Sequence, residues 1–69
     1  MYTYVCHIRR KDGEYDTGLD FYQGAMPTVG EIVQIVIYGE ALKARVGVVS
    51  NPQRELHGVL IVHVYVEEV

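Results

Sequence analysis

Cysteine occurs only once in the 69 residues, at Cys6. No disulfide can therefore form within the chain, and a lone thiol fits a reducing compartment. Neither a Cys-x-x-Cys nor a His-x3-His pair is present, so the usual ligand spacings of a zinc site are missing. Cys6 and His7 are adjacent and project to opposite faces of a strand. A basic excess is missing too. The net charge is −3, without the cationic footprint of a nucleic-acid-binding domain, and the mixed signs exclude an acidic tail. The longest apolar stretches fall far short of the roughly 18 residues of a membrane helix. The segment Met1-Tyr2-Thr3-Tyr4-Val5-Cys6-His7 has no basic stretch leading into an apolar run, so no signal peptide is read there. The expectation is a cytoplasmic protein with no membrane association.

Catalytic constellations are scarce as well. Gly24, Gly30 and Gly39 are isolated and form no phosphate-binding loop. No Ser-His-Asp arrangement has a recognisable nucleophile setting. Asp12, Glu14, Asp16 and Asp20 cluster around one turn, but acid–base chemistry needs two carboxylates converging on a concave pocket. Solvated turn charges are the simpler reading. A chain this short rarely encloses a cavity that excludes water around a substrate. The sequence thus predicts no enzyme, no cofactor and no metal.

What is present is apolar content of 49%, too high for a disordered chain. Residues 1–69 read as one small domain. At this size folding buries only roughly 60% of the surface of the unfolded chain. Small scaffolds accordingly lean on disulfides, a metal or association, and association is the device left open.

The apolar pattern has a period of two residues and nowhere a convincing 3.6-residue repeat, which predicts strands. Five are expected, near 2–9, 14–22, 31–38, 42–50 and 58–67. In the first, Tyr2, Tyr4, Cys6 and Ile8 share one face. Asp12-Gly13 then marks a hairpin, because glycine tolerates the positive φ of a tight turn. In the second, Tyr15, Thr17, Leu19 and Phe21 are expected to face the core, with Asp16 and Asp20 toward water. The run Ile32 to Tyr38 is β-branched almost throughout. In the fourth, Leu42, Ala44, Val46 and Val48 alternate with Lys43, Arg45, Gly47 and Val49. Asn51-Pro52 breaks the chain, and Asn51 to Leu56 is the best candidate for a short helical turn. In the fifth, Leu60, Val62, Val64 and Val66 form one face, and Val59, Ile61, His63 and Tyr65 the other. Short strands at this spacing predict an all-β fold, a small, partly open five-stranded barrel.

The stretch Pro27-Thr28-Val29-Gly30-Glu31-Ile32-Val33, a strand hairpin, and His63-Val64-Tyr65-Val66-Glu67 together resemble small SH3-like β-barrel proteins, many of them uncharacterised bacterial or phage open reading frames. The resemblance spans Pro27 to Val69, leaving the Tyr2–Phe21 hairpin outside it. It implies a curled five-stranded barrel and carries over no functional residue.

The strands with apolar side chains on both faces are the most informative feature. An outer face left in water forms a patch larger than monomers usually carry, unless the N-terminal hairpin covers it. The leading expectation is a non-catalytic module acting by protein–protein contact, as a homodimer or other homo-oligomer or docked on a partner. Tyr38, Ile61, His63 and Tyr65 are the candidate interface residues, since aromatics give large contact area at low entropic cost. The alternative is nucleic-acid binding through Arg9, Arg10, Lys43 and Arg45, with nearby tyrosines stacking bases; the negative charge disfavours it. A third reading is an accessory or inhibitor subunit of a larger enzyme or mobile element.

Overall fold

Runs rich in β-branched and aromatic residues form the strands of the computed structural model, which describes residues 2–19, 21–55 and 57–69 and has six strands among them. They are β1 (Tyr2–Arg9), β2 (Tyr15–Gly18), β3 (Ile32–Ile37), β4 (Glu40–Val49), the two-residue β5 (Gln53–Arg54) and β6 (Leu60–Glu68). The described residues contain no helix, hence none long and apolar enough to cross a membrane. The sheet runs β2-β1-β6-β4-β3, with β5 paired to β6. It curls into a half-barrel, consistent with a small open SH3-like barrel.

β1 and β6 lie parallel, with Val5 opposite His63 and His7 opposite Tyr65. The other pairings are antiparallel. The concave side holds Cys6 and Ile8 of β1, Val33, Ile35 and Ile37 of β3, Ala44 and Val46 of β4, and Val62, Val64 and Val66 of β6, all buried. In β1 and β6 these residues belong to the sets that the period places on one face. The N-terminal hairpin extends the sheet sideways through β1 and does not lie across the outer face.

Local chemistry explains the turns. In the Lys11–Gly13 loop the Gly13 N–H donates to the Arg10 carbonyl at 2.9 Å, and Gly13 has φ +90°, as a three-residue hairpin loop requires. In Thr28–Glu31 the Glu31 N–H donates to the Thr28 carbonyl at 3.0 Å, and Gly30 has φ +91°. This is a type II turn, which needs a positive φ at its third residue. The Glu31 carboxylate accepts the Thr28 N–H at 2.9 Å. The Pro-x-Val-Gly-Glu pattern is thus a turn that caps itself before entering β3.

Four expectations are corrected. The second strand is only four residues long, and its faces are reversed. Asp16 pairs with Ile8 and Gly18 with Cys6, while Tyr15 and Thr17 pair with Arg9 and His7. Gly18 occupies the inner side because the Phe21 ring lies where a Cβ would stand, 2.5 Å from that position. Asp20, expected on the same strand, lies outside the described residues. In β4 the register shifts between Val46 and Val48. A bulge at Gly47 therefore turns Val48 outward and Val49 inward, as one extra residue must. Within the segment expected to form a helical turn, Gln53 and Arg54 form β5, pairing with Ile61 and Leu60; Leu56 lies outside the described residues. Finally, Tyr38 is not in β3. It forms a two-residue hairpin turn with Gly39, at φ +50° and +82°.

The half-barrel closes through a loop, with no β2–β3 pairing. The Val36 N–H at the β3 edge donates to the Phe21 carbonyl at 2.9 Å. Tyr22 fills the opening, its ring edge-on to Tyr4 at 5.4 Å and its hydroxyl donating to the Ala25 carbonyl. Burial, the Glu31 carboxylate and Tyr4 together push the Tyr22 phenol pKa upward.

Candidate functional site

The convex face is where unspent chemistry lies. β6 runs between β1 and β4, so its outward residues occupy the middle of the sheet. Ile61, His63 and Tyr65 project there, and three of the four predicted interface residues therefore share one strand face. Tyr38 does not join them. It sits at the tip of the β3–β4 hairpin, 87% exposed, edge-on to Phe21 at 6.2 Å.

The centre of the face is an aromatic stack. The His7 ring lies nearly parallel to Tyr65, with centroids 4.5 Å apart and planes at 11°. The His63 ring meets His7 edge to edge, with centroids 5.1 Å apart and planes at 21°. His7 Nε2 and His63 Nδ1 are 2.9 Å apart, and His7 Nδ1 is 3.0 Å from the Thr17 hydroxyl oxygen. With Thr17 accepting from Nδ1–H, His7 presents a lone pair at Nε2, which accepts the His63 Nδ1–H. Burial first, and the neighbouring His63 second, lower the His7 pKa; both favour the neutral ring. Tyr65 stays 45% exposed, with Val48 beside it at 55% and Tyr15 at 70%.

His7 was absent from the predicted interface. Its position depends on the parallel β1–β6 register, which no local pattern encodes. The signal in the sequence was only that His7 and His63 each fall on the outward phase of their strands.

The predicted cations separate into two groups. Arg9, Lys43 and Arg45 lie outward. Glu67 stands opposite Arg9 on one side and Arg45 on the other. Arg10 instead turns to carboxylates, 3.6 Å from Asp16, 3.3 Å from Glu40 and 4.0 Å from Glu68. It ties the β1–β2 hairpin to β4 and β6.

Two other places merit a chemical reading. A groove of about 500 Å³ follows the seam between β3 and the Phe21–Gly24 segment. Its carboxylate, Glu31, is the one that caps Thr28. The Cys6 thiol is fully buried, and burial raises its pKa to about 11, opposite to the lowered value of a reactive thiolate. No family model matches the chain, and neither curated proteins nor solved structures yield a match.

Proposed function

We propose that the chain is a non-catalytic small-barrel module that works by protein–protein contact through its convex face, as a homo-oligomer or docked on a partner. One observation carries this reading: the middle strand of the sheet turns Ile61, His63 and Tyr65 outward, flanked by exposed Val48 and Tyr15. Aromatic anchors near the centre of a face are what binding hot spots are made of. Charges sit at one end of that face, Arg9, Glu67 and Arg45 in one cross-strand row, as in an interface with a polar rim. The resemblance of the Pro27–Val69 stretch to small SH3-like barrels belongs to the same reading, as does the accessory-subunit variant, which differs only in the partner.

Size-exclusion chromatography with light scattering at 10 and 500 μM, run on the wild type and on Tyr65→Lys/Val48→Lys, tests self-association. The wild type is expected to gain mass with concentration and the double variant to stay monomeric. A wild type that stays monomeric at 500 μM removes the homo-oligomer version and leaves only docking on another protein.

A second reading has its own observation: Arg9, Lys43 and Arg45 share the convex face with Tyr15 and Tyr65, an arrangement that can stack bases and neutralise phosphates. Salt-dependent retention on single-stranded DNA would support it. No retention at low salt rejects it.

A further inference from the structure

We propose that His7 and His63 form a two-nitrogen chelating site for a borderline divalent transition metal such as Zn²⁺, Ni²⁺ or Cu²⁺. The inference is independent of the docking reading. Imidazole nitrogens bind such ions at about 2.0–2.1 Å. Two of them on one ion, at bond angles between square-planar and tetrahedral, stand roughly 2.9–3.3 Å apart. His7 Nε2 and His63 Nδ1 stand 2.9 Å apart in a head-on contact, with ring centroids at 5.1 Å. They sit on adjacent, parallel-paired strands, which bring the two rings within reach of one ion.

The surroundings suit ligation. The Thr17 oxygen, 3.0 Å from His7 Nδ1, can accept a proton from that nitrogen, and in that tautomer Nε2 carries the lone pair that would coordinate. A hydrogen-bond partner on the far ring nitrogen is the usual way a ligating histidine is oriented. Binding requires two rearrangements: His63 shifts its proton from Nδ1 to Nε2, and both rings turn out of their head-on contact so that the two lone pairs meet at one ion. No bond beyond N–H is broken, and no proton is lost overall. Among the described residues no set of three or more His, Cys, Asp or Glu side chains is placed to hold a metal. The remaining coordination positions therefore go to water. The spacing rule that argued against a metal looked along the chain, whereas this pair is made across strands 56 residues apart.

The test is a titration of the whole chain with ZnCl₂, followed by NMR of the imidazole carbon-bound protons, with thermal melts in parallel. The His7 and His63 resonances should shift together, with one ion per chain, while those of His57 stay in place. At zinc tenfold above its dissociation constant the melting temperature should rise by about 5 °C or more. His7→Gln and His63→Gln should each weaken binding roughly tenfold or more, because one arm of the chelate is lost. Thr17→Val should weaken it less while keeping both ligands. His57→Gln should leave it unchanged. Circular dichroism of each variant confirms the fold. Equal affinity in His7→Gln or His63→Gln, a His57 shift as large as the others, or no shift at 1 mM zinc each overturns the proposal.

Discussion

Raising the pH from 8 to 11 should drain stability from this fold through a single thiol. Cys6 lies on the concave face of β1, fully buried, beside the core residues of β6. Its pKa rises from 9.0 to about 11 because burial disfavours the thiolate. The folded value lies above the unfolded one, so the thiol's contribution is complete below pH 9 and is lost as the pH rises toward 11. Two units at about 1.4 kcal/mol each give a loss of about 2–3 kcal/mol. A chain of this length is stabilised by roughly 3–10 kcal/mol in total, so the loss is a large share. Urea unfolding at half-unit pH steps, in the presence of a phosphine reductant, measures it. Tyrosines and lysines titrate in the same window, so the informative quantity is the difference between wild type and Cys6→Ala. That variant carries a constant penalty from its small cavity, which drops out of the slope. The wild type should converge on Cys6→Ala, or fall below it, by about 2–3 kcal/mol across the window. A difference that stays flat from pH 8 to 11 would refute the reasoning and mean that the thiolate is accommodated without unfolding.

Two further predictions concern the ends of the sheet. Tyr38 occupies the left-handed region at φ +50°, which costs a non-glycine residue about 1–2 kcal/mol, offset in part by its edge contact with Phe21. Tyr38→Asn should therefore raise the melting temperature by about 2–4 °C; a fall would show that the Phe21 contact outweighs the backbone. Arg10 faces Asp16, Glu40 and Glu68, so Arg10→Met should lower stability by about 1 kcal/mol at low salt and by less in 1 M NaCl, as a partly exposed charge cluster does. Urea midpoints at the two ionic strengths decide it, and a loss independent of salt would assign the effect to packing of the arginine stem.

Much of the fold was legible in the chain. β1, β3 and β6 were legible as strands, and the two sets of residues sharing a face in β1 and β6 could be named from the period; which face of β3 and β6 is buried could not, because both carry apolar side chains. The Asp-Gly turn was visible because glycine marks a backbone conformation other residues avoid; the Thr28–Glu31 turn was not foreseen, although Gly30 carried the same local hint. What escaped was set by partners distant in sequence. The reversed faces of β2 follow from the Phe21 ring occupying the space over Gly18. The swap of Val48 and Val49 follows from a bulge, for which Gly47 was the only local hint. β5 exists because β6 is longer than its contact with β4 and extends an edge to pair with. The Tyr65–His7–His63 stack is the clearest case. Each residue was visible as outward-facing, but their meeting depends on β1 lying beside β6.

That parallel pairing also sets the order in which the molecule can be completed. His7 and His63 are 56 residues apart, so a β1 leaving the ribosome has β2 on one side and nothing on the other until more than fifty further residues have emerged. Closing so long a loop precedes any reward from the contact, which places the domain among slow, nonlocal folders rather than fast, locally zipped ones. During that interval Cys6 and Ile8, the most deeply buried residues of β1, stand uncovered beside an open strand edge. The nascent hairpin is then the stage at which the apolar side of β1 is least covered and its strand edge most open to pairing with another chain.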